Sequence, residues 1–405
     1  MSLDLRTRLD RDVVPVDAAA FFGTQLPAAL ADGATLVATA LATRPLRPLA
    51  ITVGEAAWTL VPAAAGVTLH AGARADAIAW RLTPEQLSEI VVDRLTPIGL
   101  HAAGRLDVAG GELFDLLDWW LLLRSVLDGR PVHTSGAVGF VDRDGRALDL
   151  RRSFRLSDST DEMTWFLSQA GFLHLQGVFT EAEMAAVSAD MDAQFPSYTK
   201  GDGRSWWART ADGADRLVRM QGFDQRSPAT AALLADERLR RIAVLPAAGH
   251  QHRGAGHANA IEALVKPIGV VQGISDVPWH KDCGLGRHSY DCCAMTVGIS
   301  VTGADADSGQ LRVLAGSHRA LIWPARRQPD VDLPDLPLPT ATGDVTVHLS
   351  CTMHMAQPPV TRERRVMYTS FALPARDAAA RAGRQQLVDE IREVAPQTVS
   401  QPPAR

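Results

Sequence analysis

Between Ala50 and Thr83 apolar and polar positions alternate with the period of two that a half-buried strand requires. The runs AITVGEAAWTLVP and GVTLHAG predict two strands around a turn, and ADAIAWRLT predicts a third. The period then changes. Thr83, Pro84 and Gln86 provide a cap, a first helical residue without an amide hydrogen, and a side chain that reaches back to the cap amide, so a helix is expected to begin there. A second helix is expected from Gly111 through DLLDWWLLLRSVLDG, ending at Gly129. Gly129 to Thr160 is polar and turn-rich, with the charge runs DRDGR and RRSFR, and is expected to link two domains. Beyond it, MTWFLSQAGFLHLQGVFTEAEMAAVSADMD reads as helix, strand and a helix capped by Thr180, with Glu183 closing the capping box. Short strands follow, separated by irregular insertions at Pro196 to Asp224 and Trp323 to Thr340. The pattern therefore gives an α+β first part and a mainly β second part with helical support.

Composition narrows the classes of function. A chain of 405 residues is long enough for two domains, each with its own core. Apolar residues at 46% and charged residues at 21% match ordinary soluble usage, and a formal charge of −5 gives no basic footprint for nucleic acid. The longest apolar run, Leu116 to Leu123, is broken by Asp118 and is too short to span a bilayer, so no membrane span is expected and the cytoplasm is the expected compartment. The four cysteines, Cys283, Cys292, Cys293 and Cys351, contain no C-x-x-C pair, which argues against a zinc site and for thiols in a reducing compartment.

The chemistry concentrates between Trp279 and Arg365. His280 and Asp282 are two apart, so on an extended chain both side chains face one side while Lys281 faces the other. His354 follows 72 residues after Asp282 as a third candidate ligand. Two imidazoles and one carboxylate on one side of Fe(II) leave the opposite positions open for a co-substrate and dioxygen. His318 and His348 are read as hydrogen-bonded core residues. The tract GHQHRGAGH, with His250, His252 and His257, is rich in glycine and lacks a carboxylate at ligand spacing, so it is read as a flexible loop. Trp206 and Trp207, within GDGRSWWARTADG, are candidates for a substrate loop, with partial burial against the rest of the domain as the alternative.

Two resemblances attach to these residues. GEAAWTLVPAAAGVTLHAGARADAIAWRLTPEQLSEIVVDRLTPIGLHAAGRLDVAGG resembles the sterol-carrier-protein type 2 fold, which implies either a domain that presents an apolar substrate or a scaffold. QAGFLHLQGVFTEAEM, VPWHKD, SGQLRVLAGSHR and TGDVTVHLSCTMH, in that order, resemble the phytanoyl-CoA dioxygenase-like family of Fe(II)/2-oxoglutarate oxygenases over about Thr164 to Ala372. That likeness implies His280, Asp282 and His354 as metal ligands, with His354 preferred over His348 because it stands eleven positions after Gly343. It further implies Fe(II), 2-oxoglutarate and O2 as cofactors. Arg365, eleven residues after His354, is expected to grip the distal carboxylate of oxoglutarate, helped by a hydroxyl from Thr296, while Arg364 on the opposite face of the same strand meets solvent. Ser308 and the pair Pro358 and Pro359 depart from the family's usual residues near the pocket, so no single relative dictates the substrate.

The expected architecture is an α+β N-terminal domain plus a double-stranded β-helix (jelly-roll, cupin-like) C-terminal domain with supporting helices. Its boundaries are 1–135 for the sterol-carrier-like domain, 136–160 for the linker, 161–376 for the oxygenase domain and 377–405 for a C-terminal helix and tail. The expected function is a 2-oxoglutarate-dependent dioxygenase that hydroxylates, or otherwise oxidises a C–H bond of, a mostly apolar small molecule in specialised metabolism. The alternatives are a lipid or small-molecule binding protein with a catalytically silent oxygenase-like domain, and a cupin-type metal enzyme that uses no oxoglutarate. No oligomeric state follows from the sequence.

Overall fold

The computed structural model describes residues 12–64, 66–246, 249–252, 260–273, 275, 277–283, 294–324, 326–383 and 386. Alternating residues of the N-terminal part form strands β1 (Leu49–Val53), β2 (Ala56–Ala63), β3 (Gly66–Ala71), β4 (Ile78–Leu82) and β5 (Asp107–Ala109), ordered β3-β2-β1-β4-β5. Pairing is antiparallel except between β1 and β4. The helix Pro84–Val91 starts on the expected capping box of Thr83 and Gln86, and the helix Leu113–Asp128 stops at Gly129, whose φ of 64° closes it. Trp80, Trp119, Trp120 and Phe22 fill the core between sheet and helices, each at most 1% exposed. Among the described residues no single helix is long and apolar enough to cross a membrane.

The second part contains β6 (Phe172–Leu175), β7 (Ser205–Thr210), β8 (Asp215–Gln221), β9 (Gln251–His252), β10 (Ile261–Lys266), β11 (Val270–Gln272), β12 (Ala294–Ser300), β13 (Leu311–Leu314), β14 (Asp335–Leu338), β15 (Val345–Leu349), β16 (His354–Ala356) and β17 (Arg364–Ala372). The large sheet runs β11-β7-β8-β10-β17-β12-β15-β6, with β9 on β17; the small sheet runs β14-β13-β16, and a bridge pairs His280 with His354 at its edge. From β10 onward the chain passes between the two sheets in a jelly-roll order, which makes this part a double-stranded β-helix. The insertion read as irregular at Pro196 to Asp224 is instead largely the β7–β8 hairpin, because the alternation in SWWART and DRLVRMQ is that of a strand pair.

The two faces of the large sheet have opposite character. Met295, Val297, Ile299, Val345, Val347, Met367 and Phe371 share one face and form the main core with Phe166, Met184, Val187, Leu239 and Ile242 from the helices. Their even-numbered neighbours Thr296, Thr346, His348, Arg364, Tyr368 and Ser370 point the other way, into a polar lumen. Gly343 sets the entry to β15. Its φ is 83°, and a Cβ there would lie 2.0 Å from the Phe179 carbonyl oxygen, so only glycine fits.

The parts are fastened together. Leu321 and Trp323 belong to the N-terminal core, and Trp323 Nε1 donates to Asp118 Oδ1 at 3.0 Å. Arg44 pairs with Asp118 at 3.2 Å and with Asp330, its guanidinium 5.3 Å from the Trp323 ring centroid. The stretch expected as a linker is tied to the barrel: Asp332 accepts from His133, Ser135 and the Gly136 amide, each at 2.7 Å, and Phe154 donates its amide to the His174 carbonyl of β6 and accepts from the Gln176 amide just beyond that strand. Its turn-forming composition marks absence of regular structure, which is compatible with docking. Trp323→Ala should therefore lower the unfolding free energy by about 3–5 kcal/mol, measured by urea denaturation, the range for truncating a buried tryptophan; a loss under about 1 kcal/mol would show that this contact does not bind the two parts.

Candidate metal centre

The ligand geometry begins with the backbone. The amide of His280 donates to the carbonyl of His354 and the amide of His354 to that of His280, both at 2.9 Å, so the two residues face each other as a hydrogen-bonded pair with side chains on one side. Their ring centroids are 4.2 Å apart. Each ring places Nδ1 on the carbonyl two residues upstream, Pro278 O at 2.8 Å for His280 and Thr352 O at 2.9 Å for His354. This fixes the tautomer with hydrogen on Nδ1 and turns both Nε2 lone pairs toward the same point. Asp282 Oδ1 lies 3.5 Å from each Nε2, and the three donor atoms fall within 4.8 Å of one another.

The other carboxylate oxygen is held from behind. Asp282 Oδ2 accepts from Thr296 Oγ1 at 2.6 Å and contacts His348 Nε2 at 3.2 Å. Thr296 and His348 are direct partners across β12 and β15, so one rung of the sheet presents both groups. His348 is thus neither a plain core residue nor one of the converging donors; it orients the carboxylate. The expected role of Thr296 on the co-substrate is replaced by this one, because its hydroxyl is already committed to Asp282.

Electrostatics suit a cation. Burial pushes the Asp282 carboxyl up, but His354, His280 and His348 beside it outweigh this and hold it well below the usual carboxylate range. Burial, with His348 and His280 alongside, holds His354 well below the ordinary imidazole value, so it stays a neutral nitrogen donor. The carboxylate keeps 32% of its side-chain surface open, against 13% for His280 and 6% for His354. Two imidazoles and one carboxylate fit a divalent iron with sites left for oxoglutarate and dioxygen.

The two consecutive arginines are placed opposite to expectation. Arg365 leaves the lumen: it donates to Ser188 Oγ at 2.8 Å and pairs with Asp192 at 2.8 Å, both on the helix Glu181–Gln194. Arg364 is the inward residue, 4% exposed, donating to the Gly309 carbonyl and to the Tyr368 hydroxyl at 3.0 Å, while its buried Nε has no hydrogen-bond partner. Counting from His354 misses this, because the count depends on the length of the turn between β16 and β17. The signal that finds it is the strand's own alternation, with Met367 and Phe371 on one face and Tyr368 and Ser370 on the other.

Trp206 and Trp207 lie in β7 rather than in a loop. Trp206 is the register partner of Arg219, whose guanidinium sits 4.1 Å from its ring centroid and pairs with Glu262; Trp207, past a bulge, packs on the main core. His252 bonds Ala260 O at 2.9 Å and Thr369 Oγ1 at 2.6 Å, a structural role, and His318 Nε2 bonds Ser168 O at 3.0 Å. His257, Cys292 and Cys293 fall outside the described residues.

No curated protein matches the chain. Solved structures that overlap it include the epimerase SnoN in complex with Fe3+, alpha ketoglutarate and nogalamycin RO (17% identity, TM-score 0.43, 55% of this chain and 88% of that one). AviO1 from Streptomyces viridochromogenes Tue57 overlaps at 20% identity and TM-score 0.41, over 54% of this chain and 96% of that one. EvdO2 from Micromonospora carbonacea var. aurantiaca, complexed with 2-oxoglutarate, overlaps at 22% identity and TM-score 0.38, over 52% and 90%. The family model for phytanoyl-CoA dioxygenase (PhyH) matches from residue 167 to residue 367, a span that holds His280, Asp282, His354, Thr296, His348 and Arg364.

Proposed function

We propose that the chain is an Fe(II)/2-oxoglutarate-dependent oxygenase acting on a C–H bond of a mostly apolar small molecule. The observation that carries this is the convergence of His280, Asp282 and His354 donor atoms within 4.8 Å, with Asp282 held by Thr296 and His348 from the polar face of the large sheet. Iron with oxoglutarate and dioxygen would supply the oxidising power; the protein supplies ligands, orientation and shelter from water. Hydroxylation is the outcome first expected of such a site, and it remains part of the proposal.

Arg364, rather than Arg365, is proposed to receive the distal carboxylate of oxoglutarate. It is buried in the lumen with a guanidinium nitrogen unpartnered, and the buried Lys266 stands opposite it in register on the same face. Two cations on one polar face favour a dianionic co-substrate, and the planar fork of arginine matches a carboxylate. Arg365 is occupied by Ser188 and Asp192. The rung of Thr296 and His348 keeps Asp282 aimed so that one oxygen is free for the ion. Trp206 is proposed to line the substrate side, while Trp207 is left to the core. The N-terminal domain is proposed as a scaffold of sterol-carrier likeness, since its interior is filled by its own tryptophans and by Trp323.

Anaerobic optical titration of the iron-loaded protein tests the co-substrate assignment. Arg364→Leu should raise the oxoglutarate concentration needed for half-saturation by roughly 10–100-fold, the scale of a lost charge-assisted pair at about 1.5–3 kcal/mol, whereas Arg365→Leu should change it by less than about threefold; the reverse ranking would reject the assignment. For the positioning rung, Thr296→Val and His348→Leu should each weaken Fe(II) binding by about 10–100-fold in equilibrium dialysis. Unchanged affinity in both would show that Asp282 needs no support. Succinate release should disappear in Asp282→Ala, and normal turnover by that variant would overturn the ligand set.

A further inference from the structure

Behind the ligand-bearing segments lie two thiols. Cys283 directly follows Asp282, and Cys351 stands three residues before His354. Both are buried, at 8% and 2% exposure, and their sulfurs are 2.9 Å apart. The Cys283 amide donates to the Ser350 carbonyl at 3.3 Å, and the Cys283 thiol reaches the same oxygen at 3.2 Å. The hydrogen bonds from Cys283 to Ser350, next to Cys351, hold the two segments side by side, as a cross-link between them requires. The sulfurs need approach by only about 0.9 Å to reach the bonded distance of about 2.05 Å.

We propose that Cys283 and Cys351 form a peroxide-driven, reversible disulfide that disables the adjoining metal centre. The chemistry is a two-electron oxidation. One thiol attacks hydrogen peroxide, its S–O bond forms as the O–O bond breaks, and water leaves. The second sulfur then attacks the resulting sulfenic sulfur; the S–S bond forms, the S–O bond breaks, and the departing hydroxide takes the second thiol proton as water. Two thiols are oxidised and one peroxide is reduced to two waters. Burial ordinarily makes a thiol inert, but here the resolving sulfur is already in contact, so the second step needs no conformational search. The consequence for metal rests on the ligand assignment above. Closing the pair draws the segment of Asp282 toward that of His354, and metal–ligand distances tolerate only about 0.2 Å.

Peptide mapping reads the cross-link independently of any iron chemistry. Cleavage after lysine and arginine puts Cys283 in residues 282–287, Cys292 and Cys293 in 288–312, and Cys351 in 328–362, so each pairing has its own mass. Full-length metal-free protein treated with a slight excess of hydrogen peroxide, then freed of it, should yield peptide 282–287 linked to 328–362, lost again on dithiothreitol treatment and absent in Cys283→Ser. The oxidised protein should bind Fe(II) at least 10-fold more weakly in anaerobic equilibrium dialysis, with affinity restored by dithiothreitol. Thiols that stay unlinked, or are carried only to sulfinic acid, would overturn the disulfide. A link that leaves Fe(II) affinity unchanged would overturn the switch, and reduced protein that binds no Fe(II) would instead count against the ligand set.

Discussion

Two peptide hydrogen bonds between His280 and His354 are the constraint on which the centre depends. They join chain segments far apart in sequence into one rung, put two imidazoles on the same side, and bring Asp282 to within 3.5 Å of both. Everything nearby serves that rung. The carbonyls of Pro278 and Thr352 orient the rings, and the pair of Thr296 and His348 orients the carboxylate. A side chain alone cannot hold such a donor set, because each rotamer left free would scatter the donor atoms. Here every ligand has a second contact that removes that freedom.

The large sheet makes the site possible by dividing its faces. Its apolar face is covered by helices and supplies the core, so the opposite face is released from packing and can be polar. Arginine, tyrosine, threonine and histidine occupy it without loss of hydrophobic burial, which is collected on the other side. The small sheet then needs only to approach. The N-terminal domain contributes at a distance, by gripping the segment around Trp323 and Asp332 that leads from β13 into β14.

Much of this was legible in the sequence, for reasons that differ by element. The caps at Thr83 and Thr180 were readable because capping is local chemistry. His280, Asp282 and His354 stood out because few other reasons put such residues at such spacing. The β7–β8 hairpin was missed, since the tryptophans and charges of SWWART and DRLVRMQ disguise alternation when only one face is apolar. The inward member of the pair Arg364 and Arg365 cannot be found by distance from His354, because that count crosses a turn of unknown geometry, whereas the parity of β17 turns Arg364 inward. The role of Thr296 could not be read, because it arises from a rung shared with His348, and register between strands is not written in either strand alone.

Adjacent arginines with opposite assignments make β17 intolerant of misregistration. A slide by a single position would bring the guanidinium now anchored to Ser188 and Asp192 into the lumen and would expel the other. The strand resists this by being central, paired on one edge with β10 and on the other with β12 along most of its nine residues. Length changes in this protein are therefore better absorbed in the turn that precedes β17 than within it, where an added or deleted residue would exchange the inward and the outward guanidinium in one stroke.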